Sequence, residues 1–259
     1  MHSITFRNFF TENSNVKPFD ITNMKETIID SLPAHIGYNS NGQIVISDLL
    51  SSGNILIKSN DLNNRYLVDS ILHSLTFNSV PDLASFFFIS DNSRFDFIKN
   101  KYKNVPHLNK VDFITSTEFH AEVTDKLISF LERKISSLLR LSTSLPHEIL
   151  TPLKSIILFI DLDSFLSKSS SDQYKSKTLL TQISNFGVIT NVHIVAISNG
   201  NTYDSHNTFL DNRFTYQIIS DRRIQSELWY SDNRGSNPIN IMPLKIGTNQ
   251  IQEIITRWK

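Results

Sequence analysis

The sequence predicts an α/β fold with a mostly parallel central sheet covered by helices on both faces. Apolar runs of strand length recur along the chain, and segments with apolar residues at helical spacing separate them. Strands that are apolar throughout are typical of parallel sheets, because helices cover both faces of such a sheet. With 259 residues, the chain is long enough to bury one sizeable core.

Composition excludes several classes of function. Lys+Arg and Asp+Glu are both 25, so the formal net charge is zero, and a nucleic-acid partner is not expected. The chain has no cysteine, which excludes disulfides, cysteine-ligated zinc and iron–sulfur clusters. No apolar run approaches the roughly 20 residues that span a bilayer, and the N-terminus has no signal-peptide pattern. We therefore expect a soluble chain.

The first 50 residues are predicted to form a lead-in to the main fold. They contain a capped helix over 24–30 and a strand over 43–49. No linker or internal repeat separates them from the rest of the chain. We expect residues 1–50 to pack on the core of a single domain that comprises residues 51–259.

The main fold begins with a strand, a polar stretch and a helix. The strand covers residues 54–58, the polar stretch 59–64, and helical spacing of apolar residues begins at Arg65. Further buried strands are predicted at 85–91, 155–160, 192–198 and 214–219. Helices are predicted at 118–141, which is the longest helical pattern, and at 178–186, 224–229 and 251–258. Loops are predicted at 141–151 and 167–171.

Two strand ends carry polar residues where a nucleotide-binding fold needs them. Ligands of open α/β sheets bind at the carboxyl ends of the strands. A phosphate-binding loop follows the first core strand, and an acidic residue after a later apolar strand holds Mg²⁺. The corresponding segments are 55–66 and 156–161, and the second ends at Asp161. An aspartate at a strand end is also a common turn or helix cap, and this alternative stays open.

In the order and spacing of its segments the chain resembles the FtsK/SpoIIIE family of RecA-like motor ATPases. Segments 54–57 and 70–75 resemble the strand and helix that flank the family's P-loop, and 155–161 resembles its Walker B strand. Segments 87–91, 105–108, 192–198 and 214–226 resemble later family elements. The stretch 32–49 is similar to the lead-in of ATPase modules in EssC/EccC-type coupling proteins of type VII secretion. The resemblance implies a RecA-like P-loop NTPase fold in a C-terminal cytoplasmic module of a membrane-associated protein.

The P-loop position departs from the family's GxxxxGK[ST] pattern. Its eight residues run from Ser59 to Tyr66, and both glycines are replaced. Arg65 stands at the lysine, and Tyr66 stands at the magnesium-binding Ser/Thr. The nucleotide-site candidates that the resemblance implies are Ser59, Asn60, Asp61, Asn63, Asn64, Arg65, Tyr66 and Asp161.

The Walker B strand is altered as well. Asp161 keeps the position of the Mg²⁺ ligand, but Leu162 replaces the catalytic acid. Asp163 follows one residue later and is expected to point elsewhere. Asn199 and Gly200 stand where the family has its sensor Gln-Arg pair. The resemblance therefore implies that ATP and Mg²⁺ binding is weak or absent, with little or no hydrolysis.

The resemblance implies a role in substrate recognition or in regulation of protein export. Its partners would be exported substrates and neighbouring ATPase modules, with a ring oligomer as one arrangement. The alternative is an active ATP-binding motor that drives secretion or DNA translocation. Arg222 and Arg223 are candidates for arginine fingers that act on a neighbouring module, or form a solvated pair. His193 lies within an apolar strand and is expected to be a core histidine.

Overall fold

The computed structural model describes residues 31–108, 112–119, 123–141, 155–166, 170–199, 213–220, 227–232 and 237–258. Some predictions fall wholly outside these residues, namely the helix over 24–30 and the placement of Gly200, Arg222 and Arg223. Others fall partly outside them, namely the loops over 141–151 and 167–171 and the helix over 224–229.

The described strands form one ten-stranded sheet in the order β2-β1-β10-β9-β8-β3-β7-β6-β4-β5. In chain order they are β1 (Pro33–Asn39), β2 (Ile44–Asp48), β3 (Asn54–Ser59), β4 (Ala84–Ile89), β5 (Asp112–Ile114), β6 (Ser155–Asp161), β7 (Val192–Asn199), β8 (Tyr216–Ser220), β9 (Leu228–Asp232) and β10 (Ile239–Met242). The six strands from β8 to β5 in the sheet order are parallel, which confirms the predicted parallel core. The other four add an antiparallel extension that was not predicted.

Helices cover both faces of the parallel core, as predicted. The described helices are α1 (Leu49–Ser52), α2 (Asp61–Asn78), α3 (Asp96–Lys101), α4 (Ser116–Glu118), α5 (Thr124–Leu141), α6 (Leu162–Phe165), α7 (Ser170–Thr190) and α8 (Thr248–Arg257). On one face, α2, α3 and α8 close an apolar cluster with the sheet. On the other face, α5 and α7 close a second cluster. None of the helices in the described ranges combines the length and apolar character needed to cross a membrane.

Two helices begin earlier than predicted. Helix α2 begins at Asp61, because Asn60 caps it: the Asn60 side chain accepts a hydrogen bond from the backbone N–H of Asn63. Helix α7 begins at Ser170 and has 21 residues, so it extends well beyond the predicted 178–186. Its Ser-rich first turn was predicted to be a loop, because serine favours caps and turns over helix interiors.

The predicted helix over 224–229 is wrong at its described end. Leu228 and Trp229 begin strand β9, which pairs antiparallel with β8 and β10. Leu228 and Tyr230 are buried in the core, whereas Trp229 is 37% exposed. Buried and exposed residues alternate with the period of two that is typical of a strand. The prediction failed because so short an apolar pattern also fits a helix.

The described part of the lead-in belongs to the sheet itself. Strand β2 confirms the prediction over 43–49, and β1 was not predicted. Strand β1 lies against β10 so closely that a Cβ atom on Gly37 would sit 2.3 Å from the carbonyl oxygen of Met242. Only glycine fits there. The boundary between a lead-in at 1–50 and a domain at 51–259 stays a prediction.

Candidate functional site

The carboxyl ends of four parallel strands bring polar side chains together at one edge of the sheet. Strands β3, β7, β6 and β4 are neighbours, and the chain leaves each of them at the same end. We call the group found there the carboxyl-end cluster. Its members are Asp61, Arg94, Asp161, Asp163 and Asn199.

Asp161 is the fully buried centre of the carboxyl-end cluster. Its Oδ1 accepts a 2.6 Å hydrogen bond from Arg94 Nη1. Its Oδ2 accepts from Ser90 Oγ at 2.9 Å and from Asn92 Nδ2 at 3.4 Å. Protein donors therefore reach both carboxylate oxygens.

Asp161 also caps a helix. Its Oδ1 accepts a hydrogen bond from the backbone N–H of Asp163 at 3.3 Å, at the start of α6. The capping alternative raised by the sequence is therefore realised, alongside the ion pair to Arg94. One carboxylate serves both purposes, because it has enough lone pairs for several donors.

The expectation that Asp163 points elsewhere is wrong. Asp163 Oδ2 accepts from Arg94 Nη1 at 3.1 Å and from the backbone N–H of Asn199 at 2.8 Å. Its Oδ1 accepts from Ser198 Oγ at 2.7 Å. Because α6 begins immediately after Asp161, the chain turns and carries Asp163 back toward the end of β7.

Arg94 joins all the members of the cluster, and sequence reasoning missed it. Its side chain is only 12% exposed. The hydrogen-bonding pattern orients the Asn199 amide so that its oxygen accepts from Arg94 Nη2 at 2.8 Å and its nitrogen donates to Asp61 at 2.8 Å. Arg94 Nη2 also lies 3.6 Å from Asp61. The available signal was an arginine shortly after a buried strand, within the polar run Ser90–Arg94.

The P-loop position forms almost no loop. Only Asn60 lies between the last residue of β3 and the first residue of α2. Asn64, which replaces the second glycine, is buried, and its Nδ2 donates to the carbonyl oxygen of Ser59 at 2.9 Å. Ser59 Oγ and Asn64 Oδ1 are buried without a hydrogen-bond partner among the described residues.

Arg65 and Tyr66 are not among the residues in contact with the carboxyl-end cluster. Arg65 is exposed, and its guanidinium lies 5.0 Å over the ring of Phe97. Tyr66 has the ammonium group of Lys245 5.4 Å from its ring centre. Within the described residues, no group of three or more His, Asp or Glu side chains could hold a metal ion.

His193 is a core histidine, as predicted. It is fully buried, and its Nδ1 lies 3.2 Å from the carbonyl oxygen of Gly53. Burial lowers the pKa of His193 to about 4, so the ring is neutral near pH 7 and donates its Nδ1 proton to that carbonyl. His107 behaves in the same way. Its Nε2 lies 2.6 Å from the carbonyl oxygen of Ser79, and burial lowers its pKa to about 4.

Proteins similar to this chain are found among solved structures. No family model matches it, and no curated protein matches it. The chain is similar to EssC (ATPases 2 and 3) from Geobacillus thermodenitrificans, at a TM-score of 0.63 and 12% identity. It is also similar to the pCW3 conjugation coupling protein TcpA in its monomer form with ATPγS, at 0.62 and 14%. The chain has a RecA-like ATPase fold.

A third similar structure of this RecA-like ATPase fold is Thermomonospora curvata EccC (ATPases 2 and 3) in complex with a signal sequence peptide, at a TM-score of 0.55 and 12% identity. The matches cover 84–93% of this chain. They cover 49% of the EssC chain, 41% of the EccC chain and 74% of TcpA. This chain therefore spans about half or less of the two secretion ATPase chains.

Proposed function

We propose that the chain is a cytoplasmic module of a type VII secretion ATPase that recognises exported substrates or regulates their export, with little or no ATP turnover. The fold shared with EssC and EccC chains supports the secretion role, and their greater length supports a place among further modules. In this proposal residues 51–259 are the ATPase-fold domain, residues 1–50 lead into it, and the module belongs to a membrane-associated protein.

The observation that carries the loss of turnover is the bonding of Asp161. In an ATPase of this fold, the carboxylate at this strand end holds Mg²⁺ through a free oxygen. Here the Arg94 guanidinium lies 2.6 Å from Oδ1, and Ser90 and Asn92 donate to Oδ2. A divalent cation bound to the same carboxylate would lie close to the guanidinium, and the two positive charges would repel each other. These residues do not fit a Mg²⁺ ion, so we derive no hydrolytic step.

The start of α2 does not fit the phosphates of a nucleotide either. A P-loop holds phosphate in a concave turn of backbone N–H groups, and glycine makes that turn accessible. Here the single linking residue Asn60 caps the helix, and Asp61 places a carboxylate in the first turn. The exposed Arg65 is stacked on Phe97. We therefore propose that ATP and Mg²⁺ binding is weak or absent.

An open apolar face of the antiparallel extension supports a binding role. Tyr38, Ile44 and Met242 lie in one row across β2, β1 and β10, and their side chains are 37%, 46% and 62% exposed. Trp229 and Ile219 form a second row on the same face. Contiguous exposed apolar side chains mark binding surfaces. We propose that the apolar segment of an exported substrate docks here, as a helix does in an apolar groove.

The test measures binding of fluorescently labelled peptides that cover the C-terminal segments of proteins exported by the same secretion system. The expected result is saturable binding, with scrambled peptides of equal composition bound at least about tenfold more weakly, or about 1.4 kcal/mol. Met242→Glu places a charge on the face and should weaken binding. Leu62→Gln removes an equally exposed apolar side chain at the start of α2 and should not.

The role is contradicted if no exported segment binds, either to the chain alone or to the chain with its adjoining modules. The loss of turnover is contradicted separately, by steady ATP hydrolysis that Asp161→Asn abolishes. Such hydrolysis would favour the alternative of an active motor. The proposal also includes ring assembly and contacts with neighbouring modules. Light scattering of the joined modules measures the mass of the assembly and so tests both.

A further inference from the structure

Arg94 lies at the point where four parallel strands end. It follows β4 in the short turn Ser93–Phe95. One nitrogen of its guanidinium contacts Asp161 and Asp163, which follow the apolar part of β6. The other lies against Asn199 at the end of β7 and near Asp61, which follows β3. A single planar group therefore bridges β3, β4, β6 and β7.

The charges around this guanidinium would otherwise repel one another. Asp161 is fully buried, and Asp163 is 20% exposed. Two carboxylates this close to one cation would face each other without it, and burial strengthens that repulsion. The ring of side-chain oxygens from Asp161, Asp163 and Asn199 is also the type of ligand set that a hydrated divalent cation takes. In this chain the positive charge among these oxygens is the guanidinium of Arg94, which is part of the protein itself.

We propose that Arg94 is a resident cation that replaces the divalent metal of the ATPase fold and fixes the four strand ends in one arrangement. The module then needs neither nucleotide nor metal to set the geometry of this edge. The same contacts exclude divalent cations, because the guanidinium lies where a metal would bind. This inference rests on the loss of turnover proposed above, and does not depend on which secretion partner binds.

Asp61 has a different status from the two buried carboxylates. Its side chain is 72% exposed and lies 3.6 Å from Arg94. Solvent screens such a pair, so it adds little. The proposal therefore rests on Arg94, Asp161 and Asp163, with Asn199 fixing the orientation of the guanidinium.

The first test is a thermal double-mutant cycle on the full chain with Arg94→Gln, Asp161→Asn and the combination. Arg94→Gln removes one partner of a buried pair and should lower the melting temperature by on the order of 10 °C. The added Asp161→Asn should recover part of that loss, since it removes one of the two unpaired charges. Arg65→Gln is the matched control and should leave the melting temperature within about 2 °C.

The second test is a Mn²⁺ titration followed by electron paramagnetic resonance, which detects the free ion. The unsubstituted chain should show no saturable Mn²⁺ binding at millimolar concentration. Arg94→Gln should gain saturable binding with a Kd at least about tenfold below millimolar, and adding Asp161→Asn should remove it. A structural ion pair without the cation role would lower stability but would not create this binding.

Arg94→Lys keeps the test decisive if Arg94→Gln does not fold. Lysine keeps the charge but loses the planar fork that spans Asp161 and Asn199. We expect a smaller thermal loss and no gain of Mn²⁺ binding. Additive effects in the double-mutant cycle would overturn the proposal. So would Mn²⁺ binding by the unsubstituted chain that equals that of the Arg94→Gln variant. Neither result bears on peptide binding, so the secretion role is judged separately.

Discussion

The two ends of the parallel strands handle buried polar groups in opposite ways. At the carboxyl end, Asp161 and Arg94 are paired by charge. Toward the amino end, His193 is buried against the carbonyl oxygen of Gly53, just before β3, and His107 is buried against the carbonyl oxygen of Ser79, at the end of α2. Burial lowers the pKa of both histidines to about 4, so they stay neutral near pH 7. The fold thus concentrates paired charge at the end where ATPases of this architecture place their ligand.

A second ionic group joins two helices of the same molecule. Lys101 lies at the end of α3, seven residues after Arg94, and pairs with Asp69 of α2. Tyr102 donates to Asp69 Oδ1 at 2.7 Å, and burial beside Asp69 raises the Tyr102 pKa well above its ordinary value. This group joins α2 to the segment after β4, away from the strand ends. It is therefore an internal reference for the carboxyl-end cluster.

The largest expected effect is at the carboxyl end. Asp161→Ala removes a carboxylate that accepts hydrogen bonds from four donors, and it leaves the Arg94 guanidinium without its shortest ion pair. We expect a loss of about 3–5 kcal/mol in the free energy of unfolding, measured by urea denaturation. Asp61→Ala removes the exposed carboxylate of the same cluster and should change stability by only about 0.5 kcal/mol. Equal effects of the two substitutions would contradict the distinction between them.

Acid should destabilise the amino end. The unfolded chain protonates its histidines near pH 6.5, whereas His193 and His107 in the folded chain do so only near pH 4. The unfolded state therefore binds more protons in that window, and stability falls as the pH falls. We expect each histidine to account for about 2 kcal/mol of loss by about pH 5. Urea denaturation at a series of pH values measures it.

Matched amide substitutions separate these histidines from the other titrating groups. His193→Asn keeps a donor near the Nδ1 position, and His107→Gln keeps one near the Nε2 position, so the carbonyl contacts survive without a titrating ring. The double variant should lose part of the pH dependence between about pH 6.5 and about pH 4, because burial also lowers the pKa of His35 and His73, which remain. An unchanged slope would show that His193 and His107 do not contribute to acid stability.

An intermediate effect is expected at the reference group. Tyr102→Phe removes one hydrogen-bond donor to Asp69 and leaves the Lys101–Asp69 pair. We expect a loss of about 1–2 kcal/mol by urea denaturation. Mn²⁺ binding should remain absent in this variant, in contrast with Arg94→Gln. A gain of Mn²⁺ binding here would show that cation sites arise from general loosening of the fold.

The smallest effect is expected at the arginine in the P-loop lysine position. Arg65→Ala removes an exposed guanidinium that stacks on Phe97 and should change stability by about 0.5 kcal/mol. Calorimetric titration with Mg·ATP should give the same result for this variant as for the unsubstituted chain. A nucleotide affinity that depends on Arg65 would revive the predicted role of this residue.

The parallel core could be predicted because its strands are short apolar runs with polar ends. The runs at β3, β4, β6 and β7 are buried almost throughout, and this pattern is rare outside parallel sheets. Strands β1, β5, β9 and β10 were not predicted. Strand β5 has only three residues, and β1, β9 and β10 are only partly buried, so none of them shows the apolar run that predicts a buried strand.

The site could be predicted only in part. Asp161 was found because it ends the most apolar strand. The roles predicted for the residues next to it depended on the spacing of the family's motifs. Arg94 lies 67 residues away and carries no motif, so only the folded sheet brings it to Asp161. Asp163 was misplaced because the turn into α6 was not visible in the sequence. The folded positions of long polar side chains depend on partners remote in the chain.

Calorimetric titration of the unsubstituted full chain with Mg·ATP tests the central claim most directly. We predict no saturable heat up to millimolar nucleotide, because Arg94 takes the carboxylate that a metal would need and no phosphate-binding loop precedes α2. Saturable binding that Asp161→Asn weakens would contradict the account. It would mean that the guanidinium gives way to a metal and that the carboxyl end still works as a nucleotide site.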